Sequence, residues 1–435
     1  MEHLKPETDP PVKRSWLERL GPGLITGASD DDPSGIATYS QAGAAHGYSL
    51  LWTMLFSFPL MCAIQEISAR IGRVTGRGIA GNIRRHYSRW LLYPVVFLLV
   101  LANTINLGVD IGAMGSALQL LIGGPALVYA IGFSSLCLVL EVFIPYQRYS
   151  KYLKWMTVVL FSYVAAVFMV EVPWRQVALG TLMPTFSRTG EYWATFIAIL
   201  GTTISPYLFF WQASQETEEI RDHSDEEALK KEPWQARAQF GRIRFDTIAG
   251  MFISNIIAFF IILAAAVTLH ARGITDIQTA SQAAEALRPV AGRFAFTLFA
   301  LGIIGTGLLA VPVLAGSAAY AIGEARRWRT GLDRKPAEAK GFYAVLSIAT
   351  VLGLAINFPV VQRHLHVTPI KALFVCAVIN GVVAVPIMVV VMLMVGNPKV
   401  MGRFALRSGI LRAIGWVATV VMFLAAVGMF VTLKR

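Results

Sequence analysis

Two stretches of the chain decide its fold: residues 24–38, LITGASDDDPSGIAT, and residues 201–211, GTTISPYLFFW. Each places a proline inside an otherwise apolar run, Pro33 in the first and Pro206 in the second. A proline lacks the backbone N–H and its ring clashes with the preceding turn, so each predicts a break in a helix. Gly35 loosens the first break further. We therefore expect two helices that are interrupted near their middle.

The composition places these breaks inside a membrane. Hydrophobic residues make up 55% of the 435 residues and charged residues 15%, whereas soluble domains are about one quarter charged. An apolar stretch of roughly 18 residues or more indicates a membrane-spanning helix. A large soluble α-helical protein is the alternative, but its buried helices would be shorter and would keep a polar face. The expected fold class is an all-α integral membrane protein.

About eleven spans are predicted in this way. The first and sixth contain the breaks, and their separation by five spans suggests two inverted five-helix repeats and an eleventh helix. We expect a tail at 1–19, the first repeat at 20–172, the second at 190–396, and the last helix with a short tail at 409–435. The predicted spans are 20–47, 50–72, 91–122, 126–144, 152–170, 192–214, 245–269, 294–323, 342–356, 370–395 and 410–433.

The basic residues give a predicted orientation. The formal net charge is +12, and the Lys and Arg residues concentrate in alternate loops, as the positive-inside rule requires. This distribution explains the charge better than nucleic-acid binding does. It predicts a plasma membrane protein (the inner membrane of a bacterium) with a cytoplasmic N-terminus and an external C-terminus. The segment 216–244 carries both signs of charge and is predicted to be a solvated cytoplasmic loop.

The first break predicts an ion site. Irregular backbone is tolerated in a membrane only where it is buried or lines a wet cavity, and broken helices expose carbonyls and helix ends that bind ions. Asp32 directly precedes Pro33 and is the predicted metal ligand. Neighbouring side chains cannot all face one ion, so at least one of Asp30 and Asp31 should contact solvent or another helix. The alternative is that 30–32 forms an external loop before a span that starts at 36.

Further oxygen atoms are predicted around Asp32. Thr202 and Ser205 could offer a hydroxyl or carbonyl oxygen, or they could only satisfy backbone groups that Pro206 leaves free. Asn380, in a tenth span that Gly381 and Pro386 should loosen, could contact the ion or its waters, or form an interhelical hydrogen bond. The full predicted metal set is Asp32, Thr202, Ser205, Gly35, Ser29 and Asn380.

Several motifs resemble the natural resistance-associated macrophage protein (NRAMP) family of divalent-metal transporters. The motifs are Gly21-Pro22-Gly23, the run Ala37-Thr38…Gln41-Ala42-Gly43-Ala44, and Gln65…Ala69-Arg70-Ile71-Gly72…Thr75-Gly76. The resemblance covers most of the chain. It implies a broken-helix inverted-repeat fold, a metal site between the first and sixth helices, and alternating access.

The chain also departs from that family at the site. The family pattern Asp-Pro-Gly-Asn is Asp-Pro-Ser-Gly here, so Gly35 replaces an asparagine ligand. The pattern Ala-x-x-Met-Pro-His ends in Ser205, Pro206 and Tyr207, which removes a methionine and a histidine. A thioether favours transition metals, whereas Mg²⁺ prefers oxygen and releases its waters reluctantly. The site therefore resembles the NRAMP-related magnesium-transporter branch.

Proton coupling is not expected. The seven histidines lie at span ends, in loops or in the N-terminal tail, and the acidic pair of the family's third span aligns near Asn106 and Val109. Asp110 and Asp246 remain as candidate relay residues, although an interhelical hydrogen bond or a helix-end contact explains each of them as well. We predict no resident cofactor and no enzymatic motif, since neither HExxH nor GxSxG occurs.

The predicted function is a secondary transporter for partly hydrated Mg²⁺, with Mn²⁺ as a second substrate. A proton-coupled Mn²⁺ or Fe²⁺ importer and a passive divalent-cation channel are the alternatives. A sodium-coupled transporter of organic solutes is less consistent, because three consecutive aspartates would repel a substrate carboxylate.

Overall fold

The computed structural model describes residues 22–144, 146, 148, 153, 155–222, 226–361 and 368–432, and all the regular elements in these ranges are helices. Eight of them are long and apolar enough to cross a membrane, and two shorter apolar helices cover Thr157–Phe168 and Lys340–Ala355. With the broken first helix these account for the eleven predicted spans. The predicted fold class is confirmed, whereas the predicted repeat boundaries stay a prediction.

The helices that position the site are numbered in chain order. They are α1 Pro22–Asp30, α2 Pro33–His46, α3 Trp52–Thr75, α4 Ile79–His86, α5 Arg89–Ile122, α6 Ala126–Phe143, α7 Phe161–Phe168, α8 Trp174–Leu182, α9 Gly190–Thr203, α10 Pro206–Asp222, α11 Ala236–Thr268, α12 Ala280–Ala284, α13 Arg288–Ala291, α14 Ala295–Arg326, α15 Lys340–Ala355, α16 Pro369–Val395, α17 Pro398–Met401 and α18 Ile410–Thr432. We call the side of the membrane at which α1 begins the α1 face, and the side at which α2 ends the α2 face.

Both predicted breaks are present. α1 ends at Asp30 and α2 begins at Pro33, so two residues separate the halves of the first broken helix. α9 ends at Thr203 and α10 begins at Pro206, with the same separation. Each second half begins with its proline, a position at which the missing N–H costs nothing because that donor has no intrahelical partner.

Glycines bring the broken helices into backbone contact with their neighbours. A Cβ on Gly27 of α1 would lie 2.3 Å from the carbonyl oxygen of Gly250 in α11, and a Cβ on Gly43 of α2 would lie 2.1 Å from that of Ile262. A Cβ on Gly201 of α9 would lie 2.4 Å from the amide nitrogen of Gly381 in α16. Small residues permit this close approach of membrane helices, and it places the two broken helices directly against α11 and α16.

The segment 216–244 is not the solvated loop that its mixed charge predicts. α10 and α11 extend into it from both sides. Glu216 is paired with Arg242, and Glu226 with Arg73, each at an N–O distance of 2.5 Å, and both glutamates are buried. Opposite charges that neutralise one another can be buried. Here one ion pair joins α10 to α11, and the other ties the connection between them to α3.

The tenth span also differs from its prediction. Gly381 and Pro386 were expected to loosen it, but α16 is a continuous helix through both residues. Gly381 serves close packing against Gly201 instead. A proline inside a membrane helix is tolerated where neighbouring groups compensate for the lost hydrogen bond.

The glycine contacts generate a stability prediction. We expect Gly27→Ala to lower the free energy of unfolding by about 1–3 kcal/mol, because the added methyl group overlaps the Gly250 backbone and forces it to move. Thermal unfolding in detergent, followed by tryptophan fluorescence, measures the effect. The control is Gly132→Ala on the exposed side of α6, where an added Cβ meets nothing within 4 Å. A loss of stability of equal size in both variants would contradict the packing argument.

Candidate metal-binding site

Asp32 caps the second half of the first broken helix. Its Oδ1 accepts a hydrogen bond from the Gly35 amide at 2.6 Å, and its backbone carbonyl accepts from the Ile36 amide at 3.0 Å. An aspartate at this position satisfies helix N–H groups that have no other partner. The cap also fixes the carboxylate at the break, where the positive end of the helix dipole stabilises its negative charge.

The second carboxylate oxygen of Asp32 faces two other helices. Asn106 of α5 donates to Oδ2 from its side-chain nitrogen at 3.2 Å, and the Tyr207 hydroxyl of α10 lies 3.4 Å from the same atom. The Tyr207 hydroxyl also lies 3.0 Å from the carbonyl oxygen of Ser29, to which it donates. The Cys376 thiol of α16 donates to Asn106 Oδ1 at 3.2 Å. Asp32 is thus the meeting point of side chains from α5 and α10.

The second break lies directly beside the first. A Cβ added to Gly35 would lie 3.1 Å from Thr202 Oγ1 and 3.4 Å from Asp32 Oδ1. Gly35 therefore provides the close approach of the two breaks, and it leaves little room for a side chain. The Ser205 hydroxyl donates to the carbonyls of Gly201 and Thr202, both at 2.8 Å. This is the backbone role that was the alternative for Ser205, and its part in metal binding stays a prediction.

Asp30 and Asp31 contact α11. The Ser254 hydroxyl lies 2.7 Å from Asp30 Oδ2 and 3.1 Å from Asp31 Oδ1. Both carboxyl groups are buried. We expected at least one of them to contact solvent or another helix, and both contact α11. The alternative of an external loop at 30–32 is contradicted, because α1 precedes these residues and all three aspartates are buried.

A fourth carboxyl group lies near the break. Asp110 of α5 is fully buried beside the backbone of Ser34 and within electrostatic range of Asp32. Neither of its carboxyl oxygens forms a well-aligned hydrogen bond with a residue that the structure describes. Asp110 is therefore part of the acidic centre, and its contact with the Ser34 backbone of α2 agrees with the interhelical hydrogen bond that was the alternative to a relay role.

The remaining candidates lie in different environments. Asn380 is buried in α16 and its Oδ1 has no hydrogen-bond partner among the described residues, which leaves this oxygen free to bind an ion or water. Asp246 accepts a hydrogen bond from the Gly23 amide at 2.6 Å. That bond is the helix-end contact that was the alternative to a relay role for Asp246.

Two hydrogen bonds tie α1 to its neighbours between the breaks and the α1 face. Thr26 of α1 donates a hydrogen bond to Gln212 of α10, and the bond from Gly23 to Asp246 ties the start of α1 to α11. α1 is thereby held against both neighbouring helices.

A cavity of about 340 Å³ opens on the α2 face. The Gln41 side chain of α2 spans it, donating to the Thr275 carbonyl at 3.0 Å and accepting from the Ile277 amide at 2.9 Å. Asp276 pairs with Lys371 of α16 at 3.1 Å. These contacts connect α2 and α16 to one loop at the cavity wall.

The donor set has a definite chemistry. In the part of the chain that the structure describes, no three His, Cys, Asp or Glu side chains converge as a metal cluster would require. The Asp32 carboxylate is contacted by the Gly35 amide and by the side chains of Asn106 and Tyr207, whose amide and hydroxyl oxygens belong to the class of ligand that hard cations prefer. A carboxylate flanked by neutral side chains suits an ion that keeps part of its water.

Broken helices that cross a membrane and enclose a buried acidic centre define a membrane transport protein. The chain belongs to the Natural resistance-associated macrophage protein-like (Nramp) family, whose model matches residues 23–432. The predicted resemblance to this family is confirmed.

Individual relatives agree with this assignment. The chain is 29% identical over 312 residues to the "Divalent metal cation transporter MntH" of Klebsiella pneumoniae (strain 342), covering 69% of this chain and 71% of that one. A crystal structure of a mutant manganese transporter from Eremococcus coleocola superposes with a TM-score of 0.75 at 17% identity, covering 96% and 87%. The crystal structure of MhsT in complex with L-phenylalanine superposes with a TM-score of 0.63 at 13% sequence identity, covering 97% of this chain and 99% of that one. These structural likenesses show the shared fold.

The site generates a binding prediction. Asp32→Asn should abolish divalent-cation binding, because it removes the charge that faces the break while the amide oxygen can still cap α2. Equilibrium binding of radioactive Mn²⁺ to the purified protein measures this loss. The control is Asp276→Asn, which removes a half-exposed carboxylate at the cavity on the α2 face. Wild-type binding by a folded Asp32→Asn protein would refute the assignment of Asp32.

Proposed function

We propose that this protein transports divalent metal ions by alternating access, and that its principal substrate is partly hydrated Mg²⁺, with Mn²⁺ as a second substrate. The observation that carries the proposal is the environment of Asp32, whose carboxylate is contacted by the Gly35 amide and by the neutral side chains of Asn106 and Tyr207, with no charged partner among the described residues. Membership of the Nramp family and the names of the relatives, which are metal-ion transporters, support the general class.

The ion would bind between the two breaks. Asp32 would supply the charge, and the oxygens of Ser29, Thr202, Ser205 and Asn380 would contact the ion directly or through its waters. Gly35 would contribute by its backbone and by letting the breaks approach. Mg²⁺ exchanges its waters reluctantly, so a site with one charged ligand fits a hydrated ion better than a fully dehydrated one.

The proposed orientation places the α1 face in the cytoplasm, as the basic loops on this side suggest. Entry would then use the cavity on the α2 face, and release would require α1 to separate from Gln212 and Asp246. Transport would be driven by the membrane potential, since a divalent ion gains about 4.6 kcal/mol at 100 mV.

A second candidate is a proton-coupled importer of Mn²⁺ or Fe²⁺. Two observations favour it: the manganese transporter among the structural neighbours, and the Cys376 thiol, which contacts Asn106 next to Asp32. Sulfur is a soft ligand that favours transition metals. Here the thiol is directed at the amide oxygen of Asn106, which is why we place Mg²⁺ first.

Reconstituted transport with simultaneous measurement of internal pH separates the two candidates. We expect Mg²⁺ and Mn²⁺ uptake into liposomes driven by a negative interior, with little acidification, because Tyr207 stands where the family has a histidine and the acidic pair of its third span aligns near Asn106 and Val109. The Asp32→Asn variant serves as the inactive control. Entry of protons in a fixed ratio to the metal would contradict the Mg²⁺ proposal and favour the coupled importer.

Selectivity can be tested at the second break. Ser205→Met places a thioether where the family has one, and we expect it to tighten Cd²⁺ binding relative to Mg²⁺ by about tenfold, equivalent to 1.4 kcal/mol. The ratio is measured by displacing bound radioactive Mn²⁺ with Cd²⁺ and, in parallel, with Mg²⁺. Cys376→Ser is the companion variant, since it removes the one nearby thiol described above. A large loss of Cd²⁺ binding in Cys376→Ser, with no gain in Ser205→Met, would favour the soft-metal importer.

A further inference from the structure

The lipid-facing side of α5 carries a groove near the α1 face. Its volume is about 630 Å³, and it is lined by Arg89, Trp90, Tyr93, Pro94 and Phe97. Trp90 is 90% exposed, Phe97 65% and Tyr93 53%. Pro94 lies inside the helix and cannot donate to the Trp90 carbonyl. The groove is therefore lined mainly by apolar side chains and has an arginine at one end.

Positive charge accumulates beside this arginine. The preceding helix α4 buries Ile79 and Ile83 and places Arg84, Arg85 and His86 in its last turn, three residues before Arg89. α4 is thus a short amphipathic helix whose basic end leads directly into the groove.

Residues from other segments join this basic end. Burial, followed by repulsion from Arg85 and Arg77, lowers the pKa of Lys230. Burial also lowers the pKa of His86, and Lys230, Arg85, Arg77 and Lys399 add to the effect. The Lys230 ammonium also donates a hydrogen bond to the Lys399 carbonyl at 3.2 Å, which brings these two residues together. We call Arg77, Arg85, Lys230 and Lys399 the basic cluster.

The described residues include no acidic side chain that is paired with the basic cluster. Elsewhere on the α1 face, Arg73, Arg221 and Arg242 form ion pairs with acidic side chains. Among the described residues, Arg89 and the members of the basic cluster form none. Some basic residues on the α1 face are thus paired within the protein, whereas Arg89 and the basic cluster are available to a partner outside the chain.

Two properties define that partner. It must bring an anionic group to Arg89, and it must place an apolar chain along Trp90, Tyr93 and Phe97, on a helix that crosses the membrane. A soluble anion supplies only the first property, and an acidic protein does not enter the hydrocarbon layer. Tryptophan and arginine side chains prefer the level of the lipid headgroups, and clustered basic residues attract anionic lipids.

We propose that the α5 groove and the basic cluster form a binding site for an anionic phospholipid, whose phosphate contacts Arg89 and whose acyl chain occupies the groove along Trp90, Tyr93 and Phe97. The lipid phosphate supplies a negative charge beside Arg89, which has no ion-pair partner among the described residues. α4 itself is held by α14, because the Gly81 amide donates a hydrogen bond to Glu324 at 2.8 Å, and the Ser214 hydroxyl of α10 lies 3.2 Å from the same side chain.

The opposite face provides a matched control. Trp174 and Arg175 also form an exposed Trp–Arg pair, at the start of α8. α8 packs on the α2 face, where a Cβ on Gly180 would lie 2.4 Å from the Tyr48 carbonyl oxygen. This pair has the same side chains at a membrane surface, but it is not part of the groove or of the basic cluster.

The test uses the full-length protein in nanodiscs of phosphatidylcholine, with or without phosphatidylglycerol. Native mass spectrometry measures retained phosphatidylglycerol, and thermal unfolding measures stabilisation. We expect wild type and Arg175→Ala to retain the anionic lipid and to melt at a higher temperature with it. Arg89→Ala should bind it about fivefold more weakly, the effect of one basic residue near a membrane surface.

Two further variants keep the test informative if Arg89→Ala folds poorly. Arg89→Lys preserves the charge and should retain the lipid, whereas Phe97→Ala preserves the charge and shortens the groove, so it should weaken retention of long-chain lipid only. Equal retention in Arg89→Ala and Arg175→Ala would overturn the proposal. Stabilisation by inorganic phosphate in phosphatidylcholine nanodiscs, equal to that by phosphatidylglycerol, would overturn it as well, because the site would then bind a free anion.

Discussion

The structure depends on one constraint: two helices stop and restart at the middle of a membrane-spanning bundle, and they do so side by side. Each interruption leaves backbone groups without helical partners in a region that lacks water. Asp32 satisfies part of the first interruption, and the Ser205 hydroxyl bonds to the free carbonyls of the second. The rest of the bundle encloses this pair, and Gly35 is the point at which the two interruptions meet.

Electrostatics gives the enclosed centre its character. Asp30, Asp31, Asp32 and Asp110 are buried near one another, and the partners that the structure describes for the first three are neutral donors such as Ser254, Asn106 and Tyr207. Neutral donors reduce the cost of burying a carboxylate but do not cancel its charge. Such a centre is stabilised by positive charge from outside the protein, which is the physical basis for attracting a divalent cation.

The sequence predicts the breaks well, because a proline in an apolar run has few other interpretations. The location of Asp32 at the first break follows from its position before Pro33. The contacts of Asn106 and Tyr207 with Asp32 could not be predicted in this way. α5 is mostly apolar, and although the buried Asn103, Asn106 and Asp110 recur at helical spacing on one face of it, that spacing does not identify Asp32 as their neighbour. The pairing of Ser254 with Asp30 joins residues 224 positions apart, and the buried ion pairs at 216–244 look like surface charge until their partners are known.

The backbone contacts at Gly27, Gly43 and Gly201 have a consequence for motion. Most helix interfaces interlock through side chains, so one helix can shift past another only if rotamers on both sides change together. Where glycine meets a bare carbonyl, as at Gly27 and Gly250, there are no such side chains to rearrange. At these surfaces α1 can slide or tilt without side-chain rearrangement. The movement is opposed mainly by a few hydrogen bonds, such as Gly23 to Asp246 and Thr26 to Gln212.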